Sequence, residues 1–418
     1  MVEYFEFLDG GVSPYHVVAQ SQEELKKLGF IPLNECEEWH LEPGKKYFVT
    51  RNQSGIIAFG IPEGAPRAYH MIASHSDSPT FRVKKQTAGV KGYTKAEVEG
   101  YGGMIYSSWL DRPLSMAGRV IVKKDNCITS RLVYADKDLC VIPNLAIHFN
   151  REINSGYKYN PQVDLQPIFG EAGSTLRDAL AEEAGVKAED IVDADLVLCT
   201  REKAERVGLK GEYFMSGRID DLECAYTTLW GFLQGRGEEE GRGDMWVMFD
   251  NEEVGSATKQ GAASTFLRDT LRRISLALGQ DEEAFQTTLA RSFLVSADNA
   301  HAIHPDHPEY ADRGNCPRMN GGVVIKFNAN QRYATDGRSC AVFRAACAEA
   351  GVPVQLMANR SDLPGGSTLG SIAGTLVPVS TVDIGLAQLA MHSSWETMGA
   401  QDCAYLAAAA ARIFETEL

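Results

Sequence analysis

In "VMFDNEEVGSATKQGA", residues 247 to 262, an apolar run ends in two adjacent acids, Glu252 and Glu253. They stand just ahead of small residues that read as a helix start. Neighbouring carboxylates repel each other and are costly to desolvate, so their place at the end of a buried strand raises the question of a compensating cation. Other acids and histidines occupy comparable positions. "MIAS" runs into His75 and Asp77, "SFLVSA" into Asp298 and "AQLAM" into His392, while Asp220 in "SGRIDD" directly precedes an amphipathic helical stretch. Two histidines and several carboxylates are the raw material of a two-metal site, and such donors suit zinc, manganese or cobalt.

Each piece also has an ordinary reading. His75 and Asp77 share one face of a strand and could be a polar pair at its end, or a ligand with the carboxylate that orients it. Asp220 and Asp221 could both be helix-start acids, and Asp221 reads as the cap. Glu252 and Glu253 could be a solvated first turn, Asp298 could cap the turn "DNAH", and His392 could be a satisfied core histidine. "HAIHPDH" sets His301, His304 and His307 at near-helical spacing, but Pro305 interrupts a helix there. It reads as a loop without a primary metal ligand. "DLPGGSTLG", 362 to 370, lacks the G-K-[ST] of a phosphate loop.

The elements that must position these residues fall into three zones. Residues 1–85 open with a helical stretch, "PYHVVAQSQEELKKLGF", followed by strand-like runs in "KYFVTRNQSGIIAFGI" and "AYHMIASHSD". From 214 to 418, helices alternate with apolar strands such as "MWVMFD", "SFLVSAD" and "GGVVIKF". This alternation predicts an α/β fold with a central, largely parallel sheet flanked by helices, whose sites form at the C-terminal ends of strands. Residues 86–213 differ. Short runs, "GRVIVKK", "ITSRLVYA", "CVIPNLAIHF" and "ADLVLCT", are separated by turns, with one helix near 175 to 184. The middle zone therefore reads as a β-rich insertion in one α/β domain. "GRGEEEGRGD", 235 to 244, reads as a solvated loop.

The chain has 418 residues and a net charge of -15, which argues against nucleic acid or an anionic membrane as the main partner. No apolar stretch approaches a membrane span, and "MVEYFEFLDGGVSPYH" reads as neither a secretory nor a transit signal. Nine scattered cysteines without a C-x-x-C pair read as reduced thiols of a cytoplasmic protein and exclude a thiolate zinc site.

Taken together, "ASHSDSPTFRVK", "YGGMIYSSWLDRPLSMAGRV", "IPNLAIHFNREIN", "KYNPQVDLQPIFG", "SGRIDDL", "FDNEEVGSATKQGA", "SADNAHAIHP", "VIKFNANQRYAT" and "DIGLAQLAMHSSWE" resemble the aspartyl aminopeptidase and aminopeptidase I family of metallopeptidases. The blocks span nearly the whole chain in the family's order. The resemblance implies a catalytic α/β domain carrying an inserted dimerisation domain, and a homo-oligomer, typically a tetrahedral dodecamer built from dimers. It implies two divalent ions per subunit, zinc first, with cobalt or manganese as alternatives. His75, Asp220 and Asp298 would hold one ion and Asp220, Glu253 and His392 the other. Glu252 would be the general base, Asp77 the residue orienting His75, and His148 a contribution to a neighbouring subunit's active site. The implied reaction removes the N-terminal residue of a peptide by attack of a metal-bridging water. Members differ in preference between Asp or Glu and neutral residues. An acidic preference needs a cation, for which Lys326 is the candidate and Arg332 a weaker one. The competing readings are a di-metal aminopeptidase of neutral or broad specificity and a non-enzymatic, shell-forming peptide-binding protein. The family usually has Asn where this chain has Asp221.

Overall fold

The computed structural model of the chain describes residues 2–86, 91–235 and 241–416. Nine strands form a mixed sheet in the order Ile31–Leu33, Lys46–Arg51, Gly55–Gly60, Arg242–Phe249, Ala68–His75, Phe293–Ala297, Ser380–Gly385, Val323–Phe327 and Val354–Ala358. The four strands from Arg242–Phe249 to Ser380–Gly385 run parallel. Antiparallel pairings occur on either side of them.

Alternate residues of these strands enter two separate cores. Ile72, Trp246, Met248 and Val295 pack with helices Pro14–Lys27, Ile219–Gln234 and Asp402–Ile413 on one face. Met71, Ala73, Val247 and Leu294 pack with Phe266–Ala277 and Glu282–Ala290 on the other. Burial on both faces is why these strands read as continuous apolar runs rather than as alternating ones.

A six-stranded sheet, antiparallel throughout, has the order Cys127–Tyr134, Leu114–Lys124, Ile191–Thr200, Thr80–Gln86, Tyr93–Tyr101 and Ile168–Glu171. Its core includes Phe81, Trp109, Met116, Leu196 and Leu198, against which helix Leu176–Ala184 packs Leu176 and Leu180. The molecule is thus an α/β protein in which a β-rich unit falls, in sequence, between the strands of one continuous main sheet. The antiparallel sheet starts at Thr80, shortly after His75 closes its strand.

A third sheet links Glu205–Val207, Tyr213–Ser216, Glu396–Gly399, Ala387–Leu389 and Ala300–His301. Its strands are two to four residues long, too short to show a period in sequence.

Some local expectations fail. In "CVIPNLAIHF" only Cys140 and Val141 make isolated bridges, and the rest is irregular; Pro143 has no N–H to give a ladder. The small residues after Glu253 do not start a helix. Glu252–Val254 is a single 3-10 turn, closed by Gly255 at a φ of 92°, and the next helix begins at Phe266. Of "GRGEEEGRGD", residues 236–240 lie outside the described residues, and the strand begins at Arg242. No helix among the described residues is long and apolar enough to cross a membrane.

Candidate metal centre

Parallel pairing sets the C-terminal ends of neighbouring strands side by side, with Phe249 in register with His75. His75 therefore ends its strand next to the turn that carries Glu252 and Glu253. Asp298 follows Phe293–Ala297 on the other side of Ala68–His75. The neighbouring strand can come close because residue 385 is glycine. A Cβ there would meet the Asp298 carbonyl oxygen at 1.9 Å.

His75 is 1% exposed. Its Nε2 lies 3.5 Å from Asp220 Oδ1. Asp220 Oδ2 lies 3.6 Å from His392 Nε2, which is 3.4 Å from Glu253 Oε2. Two groups thus share Asp220. One contains His75, Asp220, Asp221 and Asp298, the other Asp220, Glu253 and His392, and within each the candidate ligand atoms lie within 4.8 Å of one another. His75, Glu252 and Glu253 form a third such set.

Two observations fit this donor set to cations. Asp220 Oδ1, Asp221 Oδ1 and Glu253 Oε1 are buried without a hydrogen-bond partner among the described residues, a costly state for carboxylates unless a cation meets them. Protons are also redistributed. Burial opposes charge on His392, yet Asp220 and Glu253 lift its imidazole to about 10. Burial also opposes ionisation of Asp220, but His392 and His75 hold its carboxyl well below the usual range. Burial pushes Asp298 up to about 6, with Lys326 opposing the shift. Burial and the charge of Asp298 push Glu252 up to about 8. The surplus of buried carboxylate thus favours positive charge on both imidazoles, a role that divalent ions would fill.

The supporting contacts are specific. His75 Nδ1 lies 3.0 Å from the Asp77 carbonyl oxygen and 3.3 Å from its Oδ1. Asp77 also accepts the backbone N–H of Glu252 at 3.0 Å and of Glu253 at 3.2 Å, and the Tyr101 hydroxyl at 2.7 Å. It therefore holds the imidazole and both acids of the turn at once. Sequence reasoning missed Glu396, which is fully buried. Its carboxylate accepts the N–H of Asp220 at 3.1 Å and of His392 at 2.7 Å. The available signal was an acid four residues after His392, next to Trp395.

The cap reading of Asp221 does not hold. Among the described residues its carboxylate accepts no N–H from the first turn of the helix, and Oδ1 has no partner. Its Oδ2 instead accepts the N–H of His75 at 3.1 Å. Lys326 is not a strand-end amine in water. Its Nζ is buried, donates to the carbonyls of Asp298 and Asn299 at 2.6 and 3.0 Å, and lies 3.9 Å from Asp298 Oδ1. Arg332 is exposed. His301, His304 and His307 belong to none of the ligand groups found among the described residues. They line a cavity of about 390 Å³ together with Gly365, Gly366 and Arg360. His148 is exposed, in the irregular stretch of the β-rich unit, and belongs to none of the ligand groups found among the described residues.

A histidine and carboxylate cluster at the strand ends of an α/β sheet belongs to the class of metal-dependent hydrolases. Within that class, residues 7–414 match the sequence profile of the aminopeptidase I zinc metalloproteases, M18, and the chain belongs to this family of metallo-aminopeptidases. It is 43% identical over 415 residues to the Clostridium novyi (strain NT) protein named "Probable M18 family aminopeptidase 2", with 96% of this chain and 95% of that one covered. Among solved structures it is similar to the cryo-EM structure of the Ape4 and Nbr1 complex, with a TM-score of 0.95, 35% identity, and 99% and 84% of the two chains covered. It is also similar to the S. cerevisiae mApe1 dodecamer, with a TM-score of 0.87, 26% identity, and 99% and 95% covered.

Proposed function

We propose that the protein removes N-terminal Asp or Glu from peptides, using two divalent ions held by His75, Asp220 and Asp298 and by Asp220, Glu253 and His392. The observation that carries this reading is the pair of ligand groups sharing Asp220, with buried carboxylate oxygens that no donor meets. Zinc comes first, with cobalt and manganese as alternatives. Ions bound there supply Lewis acidity, lowering the pKa of water to about 7 and polarising a peptide carbonyl.

The chain's own residues do the rest. Glu252 takes the proton of the attacking water and returns it to the leaving amine, a task for which a pKa near working pH is best. Asp77 keeps the His75 ring and the Glu252 backbone in position. Lys326 provides the positive charge that an acidic first residue requires. An ammonium has three donors, and two of them serve the Asp298 and Asn299 carbonyls. That use of Lys326 favours a second reading, an aminopeptidase of neutral or broad specificity.

We also propose that residues 86–213, the β-rich insertion, mediate assembly into a homo-oligomer, a tetrahedral dodecamer of dimers, and that His148 reaches a neighbouring subunit's site. The exposed side chains of Leu145, Ile147, Phe149 and Val163 support this, as such patches mark interaction sites. A cytoplasmic location agrees with nine unpaired cysteines.

The test is metal analysis combined with a substrate panel. About two ions per chain and faster release of Asp or Glu than of Leu or Ala from matched peptides support the reading. Two ions with no acidic preference support the broader enzyme. Fewer than one ion per chain and no hydrolysis of any member would leave a binding protein.

A further inference from the structure

Asp221 is the one member of the ligand groups to which the metallopeptidase reading gives no task. It is fully buried, within 4.8 Å of the other possible ligand atoms of His75, Asp220 and Asp298. One of its oxygens is accounted for, since Oδ2 accepts the His75 N–H and lies 3.9 Å from His75 Nε2. The other, Oδ1, has no hydrogen-bond partner among the described residues. The thiol of Cys224 lies against the carboxylate but is a weak donor. An Asn in this place could still accept the His75 N–H through its amide oxygen. It would bring no charge. A carboxyl here can offer a cation a charge that the hydrogen bond does not require.

The two ligand groups also differ in shelter. His75, Asp220, Asp221 and Asp298 are all buried, whereas the His392 side chain is 29% exposed. Charge–charge attraction grows as water is excluded.

We propose that Asp221 is a fourth protein ligand of the ion held by His75, Asp220 and Asp298, making this the tighter of two unequal metal sites. The ions then load in order, the His75 site first and the His392 site second. This inference rests on the two-metal reading above.

The test titrates metal-free protein with Co²⁺, following heat and the visible absorption of the bound ion. Wild-type chains should take up two ions with dissociation constants at least tenfold apart. Asp221→Asn should weaken the first by about tenfold or more, narrow the gap, and change the absorption of the first ion as one carboxylate leaves its shell. Weaker binding with an unchanged spectrum would make Asp221 a positioning residue acting through His75, and the ligand assignment would be wrong. Unchanged affinity would also overturn it. Uptake of fewer than two ions by wild type would count against the two-metal reading itself, a different failure. Should the variant not fold, wild-type crystals soaked in zinc decide the matter by anomalous scattering. An Asp221 oxygen about 2.0–2.2 Å from the first ion is expected, and one beyond coordination distance would sink the proposal.

Discussion

Glu252 and Glu253 are adjacent yet face different partners. Glu253 Oε2 lies 3.4 Å from His392 Nε2, while Glu252 is tied to Asp77 only through its backbone N–H. Glu252→Gln should therefore keep the turn, both ions and the fold, and lose about 10²–10⁴-fold in kcat, the usual cost of removing a general base. Metal analysis alongside single-substrate kinetics reads this out, and near wild-type kcat would take Glu252 out of the role. Lys326 calls for a variant of similar length, because its aliphatic stem is packed as well as its charge. Lys326→Met should lower kcat/KM for N-terminal Asp or Glu at least tenfold more than for Leu. An equal loss on all substrates would assign the ammonium to holding the Asp298 and Asn299 carbonyls in place. At this scale the sequence was informative about residue types and less so about partners. That His75, Asp220, Glu253, Asp298 and His392 could meet was readable from strand ends and from the resemblance. That Asp221 turns inward was not, since an acid at a helix start has an ordinary explanation that pattern alone does not exclude.

Between elements, the site depends on carboxylates that join segments far apart in the chain. Glu396, on a strand of the third sheet, holds the backbone N–H groups of Asp220 and His392, and Asp77 ties a strand end to the 252–254 turn. Glu396→Gln retains one acceptor oxygen and turns the other into a donor that would face an N–H. The expected cost is about 1–3 kcal/mol, the usual penalty for an unmet buried polar group, seen as a lower melting temperature of the metal-free protein and weaker binding at the His392 site. An unchanged melting temperature and unchanged metal binding would show that the strand holds its place without Glu396. The main sheet was legible because its strands are apolar on both faces. The third sheet was not, because its strands are two to four residues long and two of its four pairings join segments remote in sequence. The stretch around His148 misled for a related reason. Its apolar residues suggested a strand, but Leu145, Ile147 and Phe149 point into solvent in this chain.

For the whole molecule, two predictions follow from burial and from assembly. His70 is 3% exposed, its Nδ1 lies 3.0 Å from the Ile413 carbonyl oxygen, and burial with the nearby Arg242 lowers its pKa to about 4. The unfolded chain, with a histidine near 6.5, takes up the proton first. The stabilisation is thus complete above pH of about 6.5 and is lost as pH falls toward about 4, at a cost of roughly 2–3 kcal/mol. The melting temperature should drop over that window, and His70→Gln should flatten the drop; an equal slope in the variant would clear His70. For assembly, His148→Phe should cripple turnover while leaving metal content and oligomer size unchanged. Mixing it with Glu252→Gln chains under subunit exchange should restore some activity, since a hybrid interface can pair an intact His148 with an intact Glu252. A fully active His148→Phe protein would end the idea.

The strand order of the main sheet has a bearing on how the chain is made. Ala68–His75 lies between Arg242–Phe249 and Phe293–Ala297, so on a ribosome its two neighbours emerge only after residues 76–241 have been synthesised. Until then a strand meant to be covered on both faces and both edges has no native partner. Long-range pairing of this kind is slow, and an unpaired apolar strand is prone to aggregate. Expression should therefore respond to temperature and to chaperone supply more than the stability of the finished protein would suggest. Truncations ending before residue 242 should accumulate as insoluble material, even though they contain the whole antiparallel sheet.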